Sequence, residues 1–357
     1  MNSDWNRLHG ISTIISGPYD KDGDPKTFNA EEVADIVAIW RAVTEDFAPF
    51  DVDVTTIDPG DTALQGVGQK TVIFSSSNCA FGDAGGIAFI GSFGQNTPCF
   101  VAAPKLGPNN PKFIWEAVSH EVGHTLGLLH DGLLPSPSSP QGNPYFMGQG
   151  NWAPIMGLPY YMAVTQFDAG EYANANNPQD DLAVIGKTLP RLPQQFGSSI
   201  SSATPLTVMP AAVNVANTAH KEGVLSFDSQ ADYFSFAADA GSATISLGVT
   251  PTFGQGSCRR ANLKAAATVY NDSGAVLQTI QPAALAMSPP VVTVQLPNRA
   301  VYYVSVAGIG EGAPQAGGYS SYGSLGCRAA AAAAKPSHKA VWVHGAAGAA
   351  AAQLAVG

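Results

Sequence analysis

The stretch His120–Asp131, HEVGHTLGLLHD, holds three of the chain's seven histidines and one glutamate. His120 and His124 are four positions apart, so a helix sets them one turn apart on a single face, where both imidazoles can reach one metal ion. Glu121 is angled to touch a water on that ion without displacing it. One zinc ion with three protein ligands keeps a fourth position for water and lowers its pKa to about 7. Glu121 is then placed to take the proton while the water attacks a carbonyl, and to return it to a leaving amine. The third ligand expected is His130. An unbroken helix would aim it away from the metal, but Gly127 can take the positive φ that ends a helix in a sharp turn and bring His130 round.

Positioning these groups requires a helix that begins near Pro111, a favoured first-turn residue, and carries FIWEAVSHEVGHTL. Upstream, Asn29 to Phe47 reads as an amphipathic helix. Asn29 caps it, Glu32 completes a capping box, and Val33, Ile36, Val37, Trp40, Val43 and Phe47 share one apolar face. Strand-like runs lie between the two helices: VDVTT from Val52, TVIFSS from Thr71, GIAFIGSF from Gly86 and FVAA from Phe100. Glycines, prolines and asparagines from Gly132 to Gly150 mark a long loop.

A chain of 357 residues suggests two domains, and 45% hydrophobic against 12% charged residues allows a sizeable core. The net charge of −10, with 17 basic residues in no cluster, argues against nucleic acid or anionic membranes as partners. No apolar run approaches the ~20 residues that span a bilayer. The opening MNSDWNRLHG lacks the apolar core of a signal peptide, so either the protein is not exported or this chain begins late.

HEVGHTLGLLH fits H-E-x-x-H-x-x-G-x-x-H, and in this the sequence resembles the metzincin zinc endopeptidases. Ala153-Pro154-Ile155-Met156-Gly157 resembles the methionine turn that the family carries beneath its metal. Asp131, directly after the third histidine, resembles the adamalysin-like branch. GIAFIGSFG resembles that branch's edge strand, which implies that Gly86, Ile87, Ala88 and Phe89 pair with substrate backbone. The resemblance covers about residues 18–185. It implies an α+β, α/β/α-like catalytic domain over residues 1–190, with a mostly antiparallel or mixed twisted sheet and an active-site helix. It also implies a zinc-dependent endopeptidase acting on proteins or peptides, with Glu121 as general base. Leu158 stands where some metzincins place a tyrosine near the zinc, which leaves Tyr160 and Tyr161 as candidate oxyanion donors. The family's domains usually open with a long strand, and only ISTIIS from Ile11 is available, so the N-terminus is expected to be truncated.

Asp20, Asp22, Asp24 and Glu31 match positions 1, 3, 5 and 12 of an EF-hand loop, where Ca2+ can bind; a solvated acidic turn is the other reading, because Pro25 replaces the position-6 glycine. Asn176, Asn177, Asp180 and Asp181 form another acidic cluster with the same two readings. Cys79, Cys99, Cys258 and Cys327 fall two and two into the halves of the chain, with no C-x-x-C pair. One disulfide per half is expected, buried thiols being the alternative. The disulfide reading implies an oxidising compartment, and with it an extracellular protein, although no signal peptide is present in this chain. A monomer is expected.

Residues 191–224 are rich in Pro, Ser, Ala and Gln and read as a linker. Beyond them the period changes to two, in DYFSFAA, ATISLGV, ATVYN, AVLQTI, VVTVQL and VYYVSVAG, with Asn271–Gly274 as a hairpin turn. Six strands without a helix pattern predict an all-β sandwich over residues 225–328. DYFSFAADAGSATISLGV from Asp232 and VYYVSVAGIG from Val301 resemble the pre-peptidase C-terminal domain, a small β-sandwich found behind secreted proteases. Residues 329–357 read as an Ala/Gly-rich low-complexity tail. A rival function is a metzincin-shaped binding protein that has lost turnover and uses its sandwich for matrix or glycan adhesion; the intact Glu121 speaks against it.

Overall fold

The computed structural model describes residues 4–57, 66–95, 97–206, 217–249, 262–283 and 290–334. They divide into two compact units, one of residues 4–191 with Gly312–Tyr319, the other of residues 192–249, 262–311 and 320–334.

The first unit mixes helices with short strands: α1 (Asp4–His9), α2 (Ala30–Phe47), β1 (Thr71–Phe74), β2 (Gly86–Ile87), β3 (Cys99–Ala102), α3 (Pro111–Thr125), β4 (Trp152–Pro154), β5 (Val164–Gln166) and α4 (Asp181–Ile185). The capping box on α2 forms, with the Asn29 side chain accepting from Glu31 and Glu32 N–H and the Glu32 carboxylate accepting from Asn29 N–H. Its buried face is rotated from the expected one. Ile39, Ala42, Val43 and Phe47 are buried, whereas Val33, Val37 and Trp40 are exposed. The Asp46 carboxylate on the buried side accepts from Ser119 Oγ of α3, which ties the two helices.

β1, β3 and β2 form a mixed sheet in that order, β1 parallel and β2 antiparallel to β3. The expected VDVTT strand does not form: Val52–Thr55 is irregular, and its Val54 carbonyl accepts from Trp40 Nε1. GIAFIGSF shrinks to Gly86–Ile87 because the chain turns away. Gly91 N–H and Phe93 N–H bond instead to the carbonyls of His124 and Thr125, the last turn of α3. ISTIIS contributes one bridge, Ser16 to Ser77. An aromatic cluster of Trp5, Phe74, Phe81, Phe89 and Phe100 fills one side of this sheet, with Trp5 Nε1 donating to the Pro98 carbonyl at 2.6 Å.

α3 starts at Pro111 with Asn110 as cap and packs against α2 and β3. It is buried along almost its whole length, which forces its polar side chains to pair internally. Lys112 Nζ meets Glu116 Oε1 at 2.7 Å, and that oxygen also accepts from Trp115 Nε1 and Thr165 Oγ1.

Cys79 and Cys99 are free, buried thiols, which corrects the bridge expected in this half. Cys99 is on β3 beside β1, and its Sγ lies 3.0 Å from Thr71 Oγ1. Two free thiols carry no sign of an oxidising compartment. Cys258 lies outside the described residues, and so does the bridge it was expected to make with Cys327.

The second unit is all β. Its strands are β6 (Thr204–Pro205), β7 (Asn217–Leu225), β8 (Ala231–Ala238), β9 (Gly241–Val249), β10 (Ala265–Tyr270), β11 (Val276–Ile280), β12 (Val292–Leu296), β13 (Ala300–Gly308) and β14 (Gly326–Ala334). Two sheets, ordered β11-β10-β13-β8-β6 and β12-β9-β14-β7, contribute to one core. Phe234, Phe236, Tyr302 and Val304 come from the first sheet, and Ile245 and Leu247 from the second. The six expected strands are present, and Asn271–Gly274 closes the β10–β11 hairpin with Gly274 at φ 81°. Two boundaries move. β6 and β7 fall in the expected linker. The alanine run from Ala329, expected to be a tail without a docking face, is an inner strand paired to both β7 and β9. Main-chain bonds hold a strand on both edges whatever its side chains, so an alanine segment qualifies.

The aromatic cluster is the first unit's test. Trp5→Ala is expected to destabilise the protein by about 3–5 kcal/mol, the usual loss for a buried tryptophan, as read by denaturant unfolding. A loss below about 1 kcal/mol would show that α1 does not cover the sheet.

Candidate metal centre

α3 ends in a Schellman motif. Leu128 N–H bonds to Gly123 O at 3.0 Å, and Gly127 N–H to His124 O at 2.9 Å, with Gly127 at φ 104°. This is the break expected at Gly127, and it returns His130 to the helix. One ligand nitrogen from each of His120, His124 and His130 lies within 4.8 Å of the others. His124 Nε2 and His130 Nε2 are 2.9 Å apart.

Two of the rings are oriented by backbone. His120 Nδ1 is 2.9 Å from Ile155 O, and His124 Nδ1 is 2.8 Å from Leu128 O. A carbonyl only accepts, so each Nδ1 carries the proton and each Nε2 carries a free lone pair. Met156 is fully buried, and a Cβ at Gly123 would sit 2.6 Å from its Sδ, so its side chain lies against α3 between the two histidine positions. Its turn also holds the far end of the triad, because Asp131 N–H bonds to Met156 O at 2.9 Å.

Burial keeps the imidazoles neutral. His120 falls to about 3, through burial and then the nearby His124. His130 falls to about 4 for the same two reasons, and His124 falls through burial. Glu121 is buried, and desolvation pushes its carboxyl up to about 8. Its Oε1 stands 2.4 Å from where a Gly86 Cβ would be, so the strand backbone approaches the carboxylate as only glycine allows. The Ile87 and Phe89 side chains pack against the aromatic cluster, which leaves their main chain for the backbone pairing expected of this strand. Ala88 between them is half-buried.

Tyr161 is 68% exposed, and Tyr160 stacks on Phe113. A tyrosine not picked out from the sequence lies against the triad: the Tyr145 ring is 4.4 Å from that of His130, and burial and then the Glu121 charge raise its pKa. It sits in the glycine-rich stretch after His130, where no periodic pattern singles it out.

At the acidic turn the structure groups Asp20, Asp22 and Glu32 rather than the EF-hand set. Asp20 Oδ1 accepts from Asp22 and Gly23 N–H, Asp24 Oδ1 from Lys26 N–H, and Glu31 pairs with Lys21. These are the bonds of a self-satisfied turn.

Three imidazole nitrogens grouped within 4.8 Å of one another, with a carboxylate next to them, match the donor set of a zinc site. Residues 65–131 match the model of the reprolysin-like M12B metallo-peptidase family, a span that contains all three histidines and Glu121 and stops short of Met156. No curated protein matches the chain. Among solved structures, Aeromonas hydrophila PliG, a periplasmic inhibitor of g-type lysozyme, is 14% identical, with a TM-score of 0.23 over 36% of this chain and 93% of that one. The pre-peptidase C-terminal domain of a Bacillus anthracis collagenase gives the same four figures. Salmonella Typhimurium PliG is 11% identical, with a TM-score of 0.19 over 32% and 87%. Likenesses this weak bear on neither unit's function. Among the described residues no helix is long and apolar enough to cross a membrane.

Two outcomes follow from the geometry. Gly127→Ala has room for its methyl but not the backbone angle, so it is expected to lose about 1–3 kcal/mol of stability and to weaken zinc binding. Calorimetric titration with zinc reads the second effect, and an unchanged affinity would sever the turn from the site. Metal binding needs neutral imidazole, and a lowered pKa keeps it neutral to lower pH. Three ordinary histidines would lose about a thousandfold in affinity between about pH 7 and pH 5.5, whereas these are expected to lose less than about tenfold in a chelator competition.

Proposed function

We propose that this protein is a zinc-dependent endopeptidase. The observation that carries the reading is the convergence of His120, His124 and His130 with Glu121 buried beside them. The three histidines hold the ion. When bound, zinc supplies Lewis acidity to a water and to a scissile carbonyl. Glu121 takes the water's proton and delivers it to the leaving amine. Its carboxyl, raised by burial and lowered again by a neighbouring cation, suits a group that must both accept and return a proton near neutral pH.

β2 is an edge strand of the sheet and passes directly over Glu121 at Gly86. A substrate backbone added there comes alongside the base, and recognition rests on main-chain bonds, since Ile87 and Phe89 face the protein interior. Tyr145, partly exposed against His130, is the tyrosine placed to touch a bound peptide. The match of residues 65–131 to metallo-peptidases supports the reading. The strand pattern of the second unit supports a pre-peptidase C-terminal-like sandwich, and with it export from the cell.

Glu121→Gln is expected to lower cleavage of a denatured protein substrate by about a hundred- to ten-thousandfold while leaving one zinc per chain by elemental analysis. A parent protein that binds no zinc, or a Glu121→Gln variant that cuts at the parental rate, sinks the proposal. A parent that binds zinc yet cuts nothing makes it a binding protein instead.

A further inference from the structure

Two of the three imidazoles are aimed by carbonyls, and the third is not. Among the described residues the only hydrogen-bonding contact of His130 is the one between its Nε2 and His124 Nε2, so its Nδ1 has no backbone or carboxylate partner. A ligand histidine ordinarily donates its other ring N–H to such a partner, which fixes the orientation of the ring. His130 also lies outside any helix and is half-buried, so packing on all sides does not hold it either. What meets its ring is an aromatic side chain. The Tyr145 ring centroid is 4.4 Å from that of His130, with the planes 46° apart, and 6.3 Å from that of His120.

Main-chain bonds on both sides of Tyr145 hold it there. Leu133 N–H donates to Asn143 O at 2.7 Å and Asn143 N–H to Leu133 O at 3.0 Å, and Phe146 N–H donates to Asp131 O at 2.7 Å. Residues 143–146 therefore run antiparallel beside the three residues that follow His130. So close an approach needs Gly132, where a Cβ would sit 2.2 Å from Asn143 O. Tyr145 N–H donates to Asn143 Oδ1 at 3.0 Å, and Phe146 stacks on Tyr172 with centroids 4.2 Å and planes 13° apart. Leu158 N–H, just past the Met156 turn, donates to Phe146 O at 2.8 Å. An aromatic ring carried on so fixed a backbone can orient a neighbouring imidazole, because ring pairs prefer particular offsets and tilts.

We propose that Tyr145 is the positioning residue for the third ligand: its ring, not its hydroxyl, holds the His130 imidazole toward His120 and His124. The ring contact does for His130 what Ile155 O and Leu128 O do for the other two. The role rests on the reading of the three histidines as ligands of one zinc ion. In it Tyr145 acts through His130 rather than on the reacting atoms, so its readout is metal binding and ligand geometry rather than turnover.

Zinc affinity is read by chelator competition in the full chain, as parent, Tyr145→Phe and Tyr145→Ala. Tyr145→Phe keeps the ring and is expected to bind zinc within about twofold of the parent. Tyr145→Ala is expected to bind it about ten- to a hundredfold more weakly, the usual loss when a partner that orients a ligand is removed. Cobalt in place of zinc gives a second readout, since its visible absorption reports ligand geometry. The band is expected to match the parent's in Tyr145→Phe and to differ in Tyr145→Ala, which a loss of packing away from the metal would not produce. Parental affinity or an unaltered cobalt band in Tyr145→Ala overturns the proposal. An equal loss in both variants also overturns it, by assigning the effect to the hydroxyl. If Tyr145→Ala does not fold, Tyr145→Leu, which keeps bulk without an aromatic face, takes its place with the same expectations. A parent that binds no zinc overturns the zinc site and this role together, whereas a parent that binds zinc with no dependence on position 145 overturns this role alone.

Discussion

A backbone carbonyl can only accept a hydrogen bond, so the imidazoles of His120 and His124, held at Nδ1 by Ile155 and Leu128, must present their Nε2 lone pairs. Each of these carbonyls exists where it does because of a turn. Leu128 belongs to the Schellman motif that Gly127 closes, and Ile155 precedes the buried Met156. The Met156 turn reaches both ends of the triad, through Ile155 O to His120 and through Met156 O to Asp131 N–H, next to His130. A side chain at position 123 would collide with the Met156 sulfur, so the methionine packs close under the helix only because Gly123 is there. The His120 and His124 imidazoles are thus aimed by main-chain groups, which move less than side chains do.

Burial then sets the charge states. It works in opposite directions on the two residue types, lowering the histidines and raising Glu121, because in each case the charged form is the one that loses solvent. The same burial readies the imidazoles for a cation and leaves the carboxylate in need of one. A positive ion at the three nitrogens relieves both, and the low dielectric that makes the empty arrangement expensive for charge strengthens the attraction.

Much of this was legible from twelve residues, because helical spacing and a glycine break are local properties. His120, His124 and Gly127 specify their relation within two turns of chain. The cap of α2 was legible for the same reason. The buried face of α2 was not: Val33, Val37 and Trp40 are as apolar as Ile39 and Ala42, and only the partner helix decides which side is covered. Tyr145 was hidden because it joins the site from a segment with no periodic pattern. The alanine strand was hidden because strand pairing is a main-chain event, and a run of identical side chains has no alternation to betray it. Cys79 and Cys99 share a half of the chain, but co-location in sequence does not bring two sulfurs into bonding geometry.

His130 and Asp131 are consecutive, yet they face environments with different chemical preferences. On one side are the grouped imidazole nitrogens with a carboxylate beside them; on the other the Asp131 carboxylate is buried and accepts from Asn177 Nδ2. Adjacent residues of an extended turn point their side chains apart, so one short segment can be drawn toward α3 by its histidine and toward Asn177 by its aspartate. Tension of this kind fixes a loop better than either contact alone, since a loop anchored at one side keeps the freedom to rotate about it. The main-chain bond from Asp131 N–H to Met156 O is the pivot between the two. With both sides held, the third imidazole keeps its place without a helix of its own.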